Sequence, residues 1–199
     1  MRRLHLALTC VLLALGATTG ATAQIDAGPV PNVRPLHNAA RQLLDRGADR
    51  SPTFRDLLDR LEGSDVIVYV DVRPDLPQGL GGAMRFIGAT TTHRMLRVTI
   101  NGTHNWGTMV ALLGHELQHC VEMVEAPHVR SEDAMRAFYE RTGLRLTHNR
   151  YDSEAAQTAG RAVRFELTTG RQNLRLARAA RDVEDALLSG GSIGSDLMP

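Results

Sequence analysis

The stretch from Asn105 to Glu125 constrains this 199-residue chain more than any other. Between Asn105 and Val121 its one charged residue, histidines aside, is Glu116. Val110, Leu113, Leu117, Val121 and Val124 recur at helical spacing, so the segment reads as a long helix with an apolar back, closed by Pro127. Leu112, His115, His119 and Glu122 fall on another side and form a polar front. A solvated helix would carry more charge, so this one belongs against the rest of the fold.

The front carries His115-Glu116-Leu117-Gln118-His119, a His-Glu-x-x-His pattern. Positions i and i+4 lie one turn apart on one face, so both imidazoles aim a ring nitrogen at the same metal ion. Glu116 sits about 100° round the helix. There it reaches a water at the metal without having to ligate the metal itself. A catalytic zinc usually takes three protein ligands. Downstream candidates cluster in Tyr151-Asp152-Ser153-Glu154. Helical phase aligns Asp152 with Ala156, Ala159 and Val163, an inward face, and Glu154 with Thr158, Arg161 and Phe165, a mixed one. Asp152 is therefore the first choice for third ligand and Glu154 the next, with Glu122 or a histidine behind them. Asp152 is also a natural N-cap for the helix that follows. Glu122, three residues after His119, reads as an acceptor for a ligating imidazole or as a surface acid. Cys120 lies off the histidine face and reads as a small packed hydrophobe. His148 and Tyr151 flank the third ligand and are candidates to donate a hydrogen bond to an oxyanion. His93, His104 and His128 read as surface histidines.

Around this helix the pattern is α+β. A modest helical pattern covers Leu36 to Leu44, and Ser51-Pro52 starts a helix that runs to about Glu62. Val66 to Val72 is β-branched and nearly continuous, as in a central strand. Further strands are expected over Ala83–Ala89 and Arg94–Ile100, making a small antiparallel or mixed sheet of about three strands packed on the long helix. Helices then follow from Ser131 to Gly143, from Asp152 to about Thr168, and over the tail Arg171–Leu188. Arg171, Arg175, Arg178 and Arg181 share one helical stripe, a solvated face. Residues 36–190 read as a single domain, 24–35 as an extended lead-in and 191–199 as a flexible tail.

The first 23 residues read differently. Arg2 and Arg3 precede an apolar run, Leu4 to Ala17, and Ala21-Thr22-Ala23 offers a cleavable small-residue site, the layout of an export signal. The run is too short to span a bilayer, which takes about 20 residues, so no stable membrane insertion is expected after its removal. All basic residues are Arg, 23 against 22 acids, and losing Arg2 and Arg3 leaves 21 against 22, a net charge of −1. That balance argues against a nucleic-acid partner. Removal of Cys10 leaves Cys120 alone, so no internal disulfide is possible and stability must come from packing or a metal.

Gly114-His115-Glu116-Leu117-Gln118-His119 resembles the active helix of the zincin metallopeptidases, and the likeness extends over roughly residues 82–168. That resemblance implies a zincin-like fold, with zinc on His115 and His119, Glu116 as general base and a peptide or protein substrate. It also places the strand Arg94–Ile100 as the substrate-binding edge strand. The chain lacks the Gly-x-x-His that follows the second histidine in metzincins and does not clearly show the Asn-Glu-x-x-x-Asp segment of thermolysin-like enzymes. It looks more like uncharacterised secreted bacterial proteins with a His-Glu-Leu-x-His helix. The expected function is an exported zinc-dependent peptidase, periplasmic or secreted. The alternative is a non-catalytic zinc-binding or structural module with a peptidase-like fold.

Overall fold

The computed structural model describes residues 30–147 and 150–189. The expected export signal, most of the lead-in, His148 and the C-terminal tail lie outside the described residues. Chain order is β1 (Val33–Pro35), α1 (Asn38–Arg50), α2 (Pro52–Leu61), β2 (Val66–Arg73), β3 (Gly82–Ala89), β4 (Arg94–Asn101), α3 (Trp106–Glu125), α4 (Glu132–Thr142), β5 (Leu144–Thr147), β6 (Arg150–Asp152) and α5 (Glu154–Ser189). The architecture is α+β: a mixed four-stranded sheet in the order β1-β2-β4-β3, a separate β5-β6 hairpin, and five helices.

Local signals explain most elements. Ser51 Oγ accepts from the Phe54 amide at 3.0 Å and Pro52 occupies the first helical position, so α2 starts where the sequence predicts. β2 is nearly continuous in hydrophobicity because it is interior, parallel to β1 on one side and to β4 on the other. On β4, Leu96, Val98 and Ile100 are fully buried while Arg97 points to solvent. Asn101-Gly102 ends the strand, with the Gly102 amide donating to the Arg73 carbonyl at 2.9 Å.

Three expectations are corrected. The sheet has four strands, because the end of the lead-in pairs with β2 as β1; a three-residue edge strand ending in proline carries little hydrophobic signal. The strand Arg94–Ile100 is not the edge. β3 pairs antiparallel on its far side, so β3 holds the free edge next to the long helix. The last two expected helices are one, α5, running unbroken through Gly170. A single glycine costs a helix about 1 kcal/mol, too little to break it between good helix formers.

α3 is the central element. Val110, Leu113, Leu117 and Val121 are buried, as the apolar stripe predicts, and so are Glu116, Gln118, His119 and Glu122. The polar front is therefore enclosed by other elements rather than solvated. At the far end of α3, Arg94 is 1% exposed. Its Nη1 donates to the carbonyls of Met123, Ala126 and Val129, and its Nε and Nη2 donate to the Asp65 carboxylate at 2.7 and 2.6 Å. One guanidinium thus gathers a last-turn carbonyl of α3, the carbonyl of its C-cap and one from the turn beyond, and ties them to the start of β2.

The Arg94 hydrogen bonds, opposed by partial burial, hold the Asp65 carboxyl below its ordinary pKa. A carboxylate with a depressed folded-state pKa stabilises the fold above its unfolded value, about 3.9, and loses that contribution as pH falls through the lower folded value. Asp65→Asn is expected to cost about 2–3 kcal/mol at pH 7, leaving Arg94 with carbonyl partners alone. Urea unfolding of both proteins should show the gap narrowing below about pH 4.

Candidate metal centre

The site forms where α3 and α5 approach closely. A Cβ on Gly114 would stand 2.8 Å from Val163 Cγ2, and one on Gly160 would stand 3.1 Å from His115 Cβ and 3.3 Å from the Ala111 carbonyl. Glycine at both positions lets the helix backbones close up. Ala156, Ala159, Val163 and Leu167 are buried on the inner face of α5, whereas Thr158, Arg161 and Phe165 face solvent. The helical phase read from the sequence is correct.

Close approach brings the segment entering α5 onto the histidines. Asp152 Oδ1 lies 3.3 Å from His115 Nε2 and 3.6 Å from His119 Nε2. These ligand atoms lie within 4.8 Å of one another, so His115, His119 and Asp152 form a group able to hold a metal ion. Asp152 reaches this place from the end of β6, not from the helix. Ser153 is the residue that accepts from the Ala156 amide, at 3.0 Å, so the expected N-cap role falls to Ser153. Asp152 itself is held by the Ser153 amide at 2.7 Å and the Gln157 side chain at 3.1 Å. Glu154 is exposed and is not part of the group.

Glu122 serves His119. Its Oε2 accepts from His119 Nδ1 at 2.9 Å and from the Tyr139 hydroxyl at 2.9 Å, while Oε1 accepts from Ser153 Oγ. With Nδ1 donating to Glu122, Nε2 of His119 faces Asp152 and the open side, where it takes a proton or, in its place, a cation. Tyr139, from α4, is buried and stands edge-on to the His119 ring. Sequence reading missed it. A tyrosine beside Met135 and Phe138 looks like ordinary core, and nothing local links it to a histidine 20 residues earlier. Cys120 is buried with its sulfur 3.6 Å from Met84 Sδ, and burial pushes its thiol pKa up, which fits the packing role.

Glu116 lies beneath β3. Its pKa is raised to about 7, mainly by burial and further by Asp152, against the opposing pull of His119 and a backbone hydrogen bond from Met84. A Cβ on Gly82 would stand 2.8 Å from Glu116 Oε1, so glycine there leaves the carboxylate its room. His115 is pushed down by burial and by His119. Burial lowers His119 too, but the carboxylates of Asp152 and Glu122 on its two nitrogens prevail and carry it to about 9. Burial raises Asp152, yet its histidine neighbours win and bring it to about 2.

The charges decide whether a cation fits. Glu116, Glu122 and Asp152 are all buried, and two imidazoles that coordinate must be neutral. Two ionised carboxylates, Glu122 and Asp152, on the two nitrogens of one ring call for positive charge there, which a proton on His119 or a cation at its Nε2 supplies. The donor set of two imidazole nitrogens and one carboxylate oxygen suits a transition metal.

A cleft of about 610 Å³ opens over this group, walled by β3 (Gly82 to Arg85) and its approach (Gly79 and Leu80), by α4 (Glu132, Met135, Arg136, Tyr139) and by Tyr151. The Tyr151 hydroxyl donates to Glu140 at 3.2 Å, so its polar end is already engaged. No family model matches the sequence, and neither a curated protein nor a solved structure shows significant similarity to the chain.

The glycine contact is testable. Gly114→Ala should cost about 1–3 kcal/mol through overpacking. Adding Val163→Ala should return part of that stability, giving a positive coupling in a double-mutant cycle measured by chemical unfolding. Simple additivity would place the strain elsewhere.

Proposed function

We propose that the chain is an exported zinc-dependent hydrolase, with peptides as substrates and a zincin-like active centre. The observation that supports this best is the convergence of His115 Nε2, His119 Nε2 and Asp152 Oδ1 beside a buried Glu116, under an open cleft. The sequence layout from Arg2 to Ala23 supports export.

When bound, zinc supplies Lewis-acid chemistry, acidifying a water molecule and polarising a carbonyl. The chain's own residues do the rest. His115, His119 and Asp152 would hold the ion, with Glu122 fixing the His119 ring and Gln157 steadying the Asp152 carboxylate. Glu116, held under β3, takes a proton from the attacking water at a carboxylate oxygen and returns it to the leaving amine. Burial suits it to both halves of that transfer by setting its intrinsic affinity for a proton near neutrality, and a cation close by pulls that affinity down. The free edge of β3 and the wall of α4 confine the substrate between them.

An open cleft favours hydrolysis over the purely structural alternative. A structural zinc is usually closed by a fourth protein ligand, and among the described residues the group has three members.

Purified protein is expected to carry about one zinc per chain by elemental analysis. Glu116→Gln should keep that zinc while lowering peptide hydrolysis by about 10²–10⁴-fold. Glu122→Gln should weaken zinc binding by about 10–100-fold. Full hydrolytic activity in Glu116→Gln, or Glu116→Gln protein without metal, would contradict the assignment of the base.

A further inference from the structure

We propose that the cleft selects acidic peptide segments and that Arg85 and Arg97 make the selection. The choice of a peptide rests on the hydrolytic reading above. Strand register sets Arg34 beside Tyr69, Tyr69 beside Arg97 and Arg97 beside Arg85, one row across all four strands on the sheet face turned away from α3. Arg85 and Arg97 are directly opposed on an antiparallel pair, which places their Cβ atoms about 4.5–5.5 Å apart. Like charges in that arrangement destabilise a sheet.

Arg94, Arg73 and Arg60 are paired with Asp65, Asp75 and Glu125, whereas no acid stands opposite Arg85 or Arg97 in the sheet register. Arg85 and Arg97 are both exposed, and among the described residues neither side chain makes a hydrogen bond or ion pair. Asp71, the one acid in the four strands of this sheet, is taken by His37 at 2.9 Å. Two unneutralised guanidiniums side by side form a site for a carboxylate, which each engages through paired N–H donors.

Arg85 also lines the cleft, because the cleft runs along the free edge of β3. Across it, α4 contributes Glu132 and Arg136, a wall of balanced charge. The net positive side is β3. A peptide that pairs along the free edge of β3 turns alternate side chains to the two faces of the sheet, so that with one toward Glu116 an aspartate or glutamate at a neighbouring position stands on the outer face beside Arg85, with Arg97 next in the row.

The test uses the full-length, zinc-loaded Glu116→Gln chain and fluorescein-labelled decapeptides that differ only in carrying Asp/Glu, Gln or Lys. Fluorescence anisotropy should show the acidic peptide binding about tenfold or more tighter than the Gln version, with the gap closing as salt is raised. The exposed double variant Arg85→Gln/Arg97→Gln should erase the preference. Equal affinities, a preference that survives the double variant, or tighter binding of a labelled single-stranded DNA decamer would each overturn the proposal. Wild-type cleavage separates the two readings. An acidic binding preference without cleavage of any peptide sinks hydrolysis and leaves this proposal standing. Equal cleavage of all three peptides sinks this proposal and leaves hydrolysis standing.

Discussion

The contact between α3 and α5 is the constraint on which the site depends. Two histidines on one helix face supply half of a metal site, and the third ligand must come from a distant part of the chain. Gly114 and Gly160 lower the spacing between the helices to what backbone and small side chains allow. Buried Val163 fills the crossing, and Asp152 follows from the register of α5 against α3. The C-terminal end of α3 is held by Arg94, whose guanidinium gathers the Met123 carbonyl, the C-cap carbonyl of Ala126 and the Asp65 carboxylate. The site helix is thus fixed by close packing at one end and by a buried ionic cap at the other.

Electrostatics then gives the packed cluster its chemistry. Glu122 is surrounded by donors from three elements: His119 on its own helix, Tyr139 on α4 and Ser153 before α5. Those bonds make burial of its charge tolerable and fix the tautomer of His119. Asp152 faces the other nitrogen of the same ring. The ring is held between two carboxylates, which is why it binds a proton tightly, and a cation at Nε2 would meet the same attraction. Glu116 differs from both acids in that, among the described residues, no side chain donates to its carboxylate, whose one hydrogen-bond donor is the Met84 backbone, while burial raises its pKa. Its environment makes it a base of intermediate strength, whereas Glu122 and Asp152 are firmly ionised.

Much of this was legible in the sequence, for physical reasons that differ by residue. His115, Glu116 and His119 declare themselves because helical geometry alone puts them together. The inward face of α5 was legible from its periodicity, and Asp152 was favoured by that phase even though it precedes the helix. Long-range partners left no comparable trace. Arg94 looks like any strand arginine until its three carbonyl acceptors are seen. Tyr139 looks like core. β1 and the β5-β6 hairpin are too short for a periodic signal, and strand order is not encoded in any one strand, so nothing in the residues themselves checks the edge position that the zincin resemblance implies for β4 and that β3 occupies.

The most direct test of the metal centre is X-ray absorption at the metal edge of protein purified from cells and then loaded with zinc. Stoichiometric zinc bound by two imidazoles and further light nitrogen or oxygen donors at about 2.0–2.2 Å, lost together with the metal in Asp152→Ala, is the predicted result. A sulfur donor near about 2.3 Å, which would bring in Cys120, or the absence of bound metal would contradict the account.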